Sequence, residues 1–343
     1  MKILFGIQGT GNGHISRARV LANYLSQYPL EMTYLISGRN KDKLFDMEVF
    51  GDFIHKPGLT FITENGQLSY WKTLRKNNLI TLYQDIKRLD VSQYDLIISD
   101  FEPITAWTGK LKGVPTLGIG HQYAFGKNTP LAGDNWLSRL IMQYFAPTSE
   151  SIGLHWYPYD DTILPPIIDT SITKDLSKTS RHILVYLPFE NARRICQILK
   201  QITSYQFIVY SPDVDDEVIK NVCLKKTAYK TFKHDLVTAE AVICNSGFEL
   251  ISECLHLGLP ILTKPLKGQM EQHSNAQALT ELKLAEVINK VTVDSIKSWL
   301  KNKKEPEVRQ LPDVAKIIAE YIASGQWQNI QEQKQLLWQY NAI

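Results

Sequence analysis

Apolar residues in this chain gather into short unbroken runs, and the runs alternate with stretches of helical spacing. The first run covers residues 2–7, meets a cluster of glycines, and gives way to a helix-like stretch over 16–27. Further runs at 32–36, 95–99, 116–120 and 151–156 repeat the motif, with helical spacing over 70–88 and 135–144. Runs this short and this apolar suit strands buried on both faces, and strands alternating with helices imply a parallel sheet covered on both sides.

The alternation stops at Leu164-Pro165-Pro166. A polar stretch follows, with Asp169, Ser171, Lys174, Asp175, Ser177, Lys178 and Ser180, and residues 166–180 read as an interdomain linker. Order resumes with strands at 182–187, 206–210, 241–244 and 260–263 and helices near 190–200, 248–257 and 270–282. Two doubly wound α/β units are therefore expected, over 1–165 and 181–311. The remaining residues, 312–343, are helical in pattern and carry Trp327 and Trp338, placed to pack back across the first unit. No internal sequence repeat accompanies this architectural echo.

Bulk properties narrow the partners. A chain of 343 residues exceeds what one core usually organises, and 44% hydrophobic residues are enough for it to fold completely. A net charge of +3 is too small to announce nucleic acid. It suits an anionic sugar nucleotide or an anionic lipid headgroup, or else reflects ordinary solvated lysines. Cys196, Cys223, Cys244 and Cys254 form no CxxC pair and no metal-ligand spacing, so reduced structural thiols are expected. No apolar run approaches the roughly 20 residues of a membrane span, and residues 1–7 lead into glycines rather than a cleavage site. The expectation is a cytoplasmic protein, with peripheral association at the inner face of the membrane as its only membrane contact.

Candidate chemistry begins at Gly9-Thr10-Gly11-Asn12-Gly13-His14, between a strand and a helix. Backbone amides converge there on the positive end of the helix dipole, and Gly11, Asn12 and Gly13 are placed to approach donor phosphates. The GxGxG spacing differs from the dinucleotide GxGxxG. His14 at the mouth of this loop can take a proton from a hydroxyl near neutral pH; alternatively it only caps the helix or bonds the loop, or Ser16 is the cap. Asp100 closes the run 95–99 at the carboxyl edge of the sheet, either facing His14 or capping the helix that begins near Pro103. Glu102, His121 and Gln122 occupy the same edge and are acceptor-side candidates.

In the second half, Asn245-Ser246-Gly247 follows a strand, Glu253 lies in the next helix, Gly258-Leu259-Pro260 leads to another strand, and Glu271-Gln272 opens the following helix. Ser246 and Gly247 would present a hydroxyl and amides to a diphosphate, Glu253 would accept from a ribose diol, and Glu271 and Gln272 would grip sugar hydroxyls. Each also has a plain structural reading as a helix cap, a solvated acid or a first-turn residue.

These motifs resemble the GT-B glycosyltransferases of families 1 and 28, which include the enzyme that adds N-acetylglucosamine to the peptidoglycan lipid precursor. The glycine loop is similar to their GGTGGH-type loop, and Ser246-Gly247 through Asn275-Ala276 is similar to their SG…E…GLP…Q…NA donor region. QGTGNGH, ISDFEP, GIGHQYAF and ILPPI further resemble a group of prokaryotic proteins described as glycosyltransferases, over the chain to about Leu282. The resemblance implies two Rossmann-like domains facing across a cleft. It implies His14 as base with Asp100 orienting it, Ser246 and Gly247 at the diphosphate, Glu253 at the ribose, and Glu271 with Gln272 at the sugar. Val185-Tyr186-Leu187-Pro188-Phe189-Glu190 departs from the glycine- and serine-rich turn of many relatives. Pro188 removes a donor amide there, and Arg193 or Arg194 is then the substitute at the diphosphate or simply an exposed helix arginine.

The expected reaction is inverting transfer from a UDP-sugar to an acceptor hydroxyl on a lipid, glycan or small molecule, with no cofactor and no metal. Asp213-Val214-Asp215 spells a metal-binding DxD, but beside Asp216 and Glu217 it reads as an acid-rich first helical turn. The rivals are a nucleotide-sugar epimerase on the same paired fold and a non-catalytic sugar-nucleotide sensor. A dehydrogenase fits less well, because the loop spacing is wrong and Glu31 precedes the second strand.

Overall fold

Strand β1, Lys2–Gln8, is buried from its second residue onward, and it forms the centre of a sheet rather than an edge. A computed structural model describes residues 1–60, 63–64, 67–68, 73, 75, 77–126, 128–133, 136–174, 182–304, 306 and 308–339. Helix α1 (Asn12–Leu25) leads to β2 (Glu31–Ser37) and β3 (Ile54–His55), which extend the sheet on one side of β1. A short ribbon, β4 (Thr63–Glu64) and β5 (Gln67–Leu68), precedes α2 (Leu79–Arg88). The chain then crosses to the other side of β1 with β6 (Leu96–Asp100), α3 (Pro103–Lys112), β7 (Thr116–Gly120), α4 (Trp136–Tyr144), β8 (Glu150–Leu154) and β9 (Ile163–Leu164). Every pairing in the order β3-β2-β1-β6-β7-β8-β9 is parallel, and Ile3 lies opposite both Met32 and Leu96.

The second sheet has the same logic. Its elements are β10 (His182–Tyr186), α5 (Ala192–Leu199), β11 (Gln206–Ser211), β12 (Glu217–Ile219), β13 (Val222–Lys226), α6 (Tyr229–Val237), β14 (Ala241–Asn245), α7 (Phe248–His256), β15 (Ile261–Lys264), α8 (Met270–Glu281), β16 (Glu286–Val287) and α9 (Val293–Asn302). The order β12-β13-β11-β10-β14-β15-β16 is parallel except for the edge strand β12. In both sheets the first strand is the point where the winding reverses, between β1 and β6 and between β10 and β14. Open α/β sheets bind ligands outside the carboxyl ends of strands at such points.

Several expectations shift. Helix α1 begins at Asn12 rather than residue 16, so His14 lies in its first turn and Ser16 is no cap. Residues 213–217 form no acidic helical turn: they lead into β12, and Asp216 accepts from the Lys226 amide. The polar stretch after Leu164 opens with two core residues, Ile167 and Ile168, while residues 175–181 lie outside the described residues, as do 70–72, 74 and 76 of the long helix expected before Arg88. All four cysteines are free, and burial pushes the thiols of Cys244 and Cys254 upward.

After α9 the chain returns to the first half. Helix α10 (Val314–Ala323) buries Val314, Ala315, Ile318, Ala319 and Ile322, a helical stripe, against the core that includes α1. The Tyr24 hydroxyl donates to Asp313, and Trp338 Nε1, in α11 (Lys334–Gln339), donates to the Ile163 carbonyl at 3.0 Å.

Candidate active site between the two sheets

The loop after β1 delivers a bare helix end. Gly11 is the N-cap of α1 in extended conformation, with no side chain bonded to the exposed amides and no acid in the first turn. Such an end favours an anion. His14, the third helical residue, points at the end of β6: its Nδ1 lies 2.8 Å from Asp100 Oδ1. A carboxylate only accepts, so Nδ1 holds the hydrogen of that pair and Nε2 of the neutral ring is left as an acceptor.

Asp100 is 1% exposed. Burial alone would raise its pKa, but the Arg17 guanidinium and His14 outweigh it and hold the carboxyl below its ordinary value. Arg17, one turn beyond His14 on the same face of α1, forks onto Asp100 with Nε–Oδ2 3.1 Å and Nη2–Oδ1 2.5 Å. Directly after the aspartate, Phe101 adopts φ 52°, a conformation bulky residues avoid. Its ring is held by stacking on Phe145 at 5.0 Å and by the edge of Tyr123 at 5.7 Å. This kink aims Asp100 at His14 and lets Glu102, two residues on, cap α3.

The second half presents another open helix end: Gly247 is the N-cap of α7, again extended and without a side-chain cap. It faces α1. Glu249, in the first turn of α7, forms an ion pair with Arg17, and Asn12 donates from Nδ2 to the Tyr186 hydroxyl at 3.0 Å. Between the two ends lies a cavity of about 100 Å³ lined by Asn12, Gly13, Tyr186, Lys233, Glu249 and Glu253, among others. That is smaller than the roughly 300 Å³ at which ligand pockets usually begin.

The remaining candidates divide. Glu253 lines the cavity and is paired with Lys233, whose pKa rises because that carboxylate outweighs burial. Glu271 faces the first half, accepting from Gln122 Nε2 at 3.1 Å. Ser246 does not present its hydroxyl outward: it is fully buried and shares a hydrogen bond with Thr263 Oγ1 at 2.9 Å, leaving only backbone amides beside it. Gln272 is likewise turned inward, its Oε1 accepting from the Leu266 amide at 2.8 Å. Arg193 is engaged by Glu217.

The acceptor-side trio is corrected as well. Glu102 is fully buried and accepts from the amides of Ile104 and Thr105 and from Ser37 Oγ, so it, not Asp100, caps α3; burial raises its pKa against those bonds. His121 is fully buried between Leu154 O at 2.8 Å and Asn275 Oδ1 at 2.6 Å, and its ring stacks on Phe248 at 4.0 Å. Burial lowers its pKa against the pull of those two hydrogen bonds. Gln122 is spent on Glu271. His121 and Gln122 belong to the seam that joins the halves. Arg17, Glu249 and Lys233 escaped the sequence reading, although the i, i+3 spacing of Arg17 from His14 carried the signal.

Away from the cleft, the first half carries an apolar groove of about 660 Å³ between α2, α3 and α4, lined by Leu79, Tyr83, Ile86, Trp107, Leu140 and Phe145 among others. Lys87 and Lys110 lie over the rings of Tyr83 and Trp107. These three helices hold five basic residues against the single acid Asp85, whereas the whole chain is only +3. Among the described residues no helix is long and apolar enough to cross a membrane, and no group of three or more histidines, cysteines or acids is arranged to hold a metal.

Residues 1–303 match the family model described as glycosyl transferase family 1. An uncharacterized glycosyltransferase of Methanosarcina acetivorans is 24% identical over 319 residues, covering 82% of each chain. Among solved structures, the glycosyltransferase of kitacinnamycin superposes with a TM-score of 0.62 at 12% identity, covering 99% of each chain. The spinosyn rhamnosyltransferase SpnG, complexed with thymidine diphosphate, gives 0.54 at 12% identity over 98% of this chain and 100% of its own. At such identities the likeness speaks for the fold alone, the two-domain GT-B architecture.

Proposed function

Because the chain belongs to glycosyl transferase family 1, we propose that this glycosyltransferase takes its sugar from a nucleotide-sugar donor and transfers it with inversion and without a metal, His14 acting as general base. The observation that carries this reading is the His14–Asp100 pair, with Nδ1 bonded to a buried carboxylate at the winding reversal of the first sheet. Nε2 takes the proton of an acceptor hydroxyl as its oxygen forms a bond to the anomeric carbon. The bond from that carbon to the diphosphate breaks on the opposite face, and the electron pair departs with the phosphate. Asp100 stabilises the imidazolium so formed.

The leaving diphosphate lies between the open ends of α1 and α7, where amide hydrogens and helix dipoles balance its charge. Lys233 and Glu253 border that space and suit the ribose side, while Glu271 suits the sugar. The donor is a pyrimidine nucleoside diphosphate sugar, UDP- or dTDP-linked, a choice supported by the thymidine diphosphate held by SpnG. The acceptor is an amphiphile at a membrane face: the groove beside Trp107 takes its apolar part, and the surrounding lysines meet anionic headgroups.

A thermal-shift screen of UDP, dTDP, UDP-glucose, UDP-N-acetylglucosamine, dTDP-glucose and GDP-mannose tests the donor assignment. A pyrimidine diphosphate at 100 times its Kd stabilises the fold by about 2.7 kcal/mol. Turnover of the responding donor is expected to survive EDTA and to vanish in His14→Ala. Stabilisation by GDP-mannose alone, or release of an altered sugar nucleotide without acceptor, would overturn it.

A further inference from the structure

The base has a fourth member that comes from the opposite half. Two donors share one acceptor, Asp100 Oδ1: Arg17 Nη2 at 2.5 Å and His14 Nδ1 at 2.8 Å. Arg17 Nη2 also lies 3.1 Å from His14 Nδ1. If the guanidinium turned its hydrogen toward the ring, Nδ1 would become the acceptor and the imidazole hydrogen would move to Nε2. Such a tautomer cannot accept a proton from an acceptor hydroxyl. What restrains the guanidinium is Glu249, which reaches across from the first turn of α7 to Arg17 Nη1.

Two glycines make room for this arrangement. A Cβ on Gly13 would lie 2.4 Å from Glu249 Oε2, so a larger residue in the first turn of α1 would push the carboxylate aside. A Cβ on Gly120 would crowd Asp100 Oδ1 at 3.2 Å and Arg17 Nη2 at 3.3 Å. The charges are also matched. The Arg17 fork by itself cancels the negative charge that a His–Asp pair offers a forming imidazolium, and Glu249 restores one unit.

We infer that Glu249 is a positioning residue of the acid–base unit: by holding Arg17 it keeps the hydrogen of His14 on Nδ1, so the base is complete only while the two halves touch. This rests on the reading of His14 as base. Transfer is thereby tied to closure, and an open enzyme, with its donor exposed to water, lacks a competent base.

The test needs no identified substrate. In protein with ¹⁵N-labelled histidine, the His14 signals are assigned by their loss in His14→Gln, and ring nitrogen shifts report the tautomer. Wild type and Glu249→Asp are expected to hold the Nδ1–H form. Glu249→Gln, which removes the charge that pairs with Arg17, is expected to move the ratio toward Nε2–H by about tenfold. Gly13→Ala, which displaces the carboxylate by another route, should do the same and serves if Glu249→Gln fails to fold. An unchanged tautomer in a folded Glu249→Gln or Gly13→Ala protein overturns the inference while leaving His14 as base. Retained turnover of the responding pyrimidine donor in His14→Ala would overturn both.

Discussion

Replacing Asp100 by asparagine keeps the shape of a fully enclosed side chain and removes one negative charge. Of the two oxygens that His14 and Arg17 use, one is lost as an acceptor. The asparagine amide can present a hydrogen where His14 Nδ1 needs an oxygen, which turns the ring to the unreactive tautomer, and the forming imidazolium loses its counter-charge. A loss of about 10³-fold in kcat, roughly 4 kcal/mol of barrier, follows from the behaviour of His–Asp pairs in general. The KM for donor should change little, since Asp100 touches no part of the cavity lining. Breaking a buried pair from one side usually costs about 3–5 kcal/mol, and Glu249, still bonded to Arg17, should reduce this to about 2 kcal/mol. The pH dependence gives an independent check. The Asp100 carboxyl is held below its ordinary value when folded, so its contribution is full above the unfolded value of about 3.9 and is lost as pH falls through the folded one. The gap in melting temperature between wild type and Asp100→Asn should therefore be constant from pH 5 to 7 and narrow below about pH 4. Steady-state kinetics with the responding donor, together with melts across that range, measure both. A variant with normal kcat and raised KM, or a gap that widens in acid, would refute the assigned role.

Other outcomes separate structure from chemistry. Glu102→Gln keeps one acceptor oxygen at the N-cap but turns its NH2 onto a donor that the other oxygen held, so melting temperature should fall while turnover stays within about twofold; Glu102→Ala, which uncaps α3, should cost about 1–3 kcal/mol in chemical denaturation. A Tyr83→Asp, Trp107→Asp double variant should lose binding to phosphatidylglycerol vesicles in a flotation assay while the donor-induced thermal shift is unchanged.

Local signals made most of the architecture legible. Buried runs such as 2–7 and 116–120 became parallel strands with little shift in their ends, and the aspartate closing one such run met the histidine after another, because both stand at one winding reversal. Contacts between the halves carried no comparable signal. His121 and Gln122 sit at a strand edge that normally faces ligand, and only the docking of Phe248, Asn275 and Glu271 converts that edge into a seam. Ser246 was misjudged for a related reason: its position was readable, but its rotamer depends on Thr263, seventeen residues away on the neighbouring strand. The acids at 213–217 resembled a helix start because charge pattern cannot tell a helical turn from the lead-in to an edge strand.

The chain passes between the halves twice, once after β9 and again before α10. A body hung from two attachment points swings but does not drift away, so separation of the sheets reduces to rotation about the line joining those points. Reclosure is then an encounter between surfaces that never leave each other's neighbourhood, at an effective concentration of the order of millimolar for short tethers. Because α10 lies against the helix that bears His14, one of those attachment points also backs that histidine, so any rotation of the second half would bear directly on its helix.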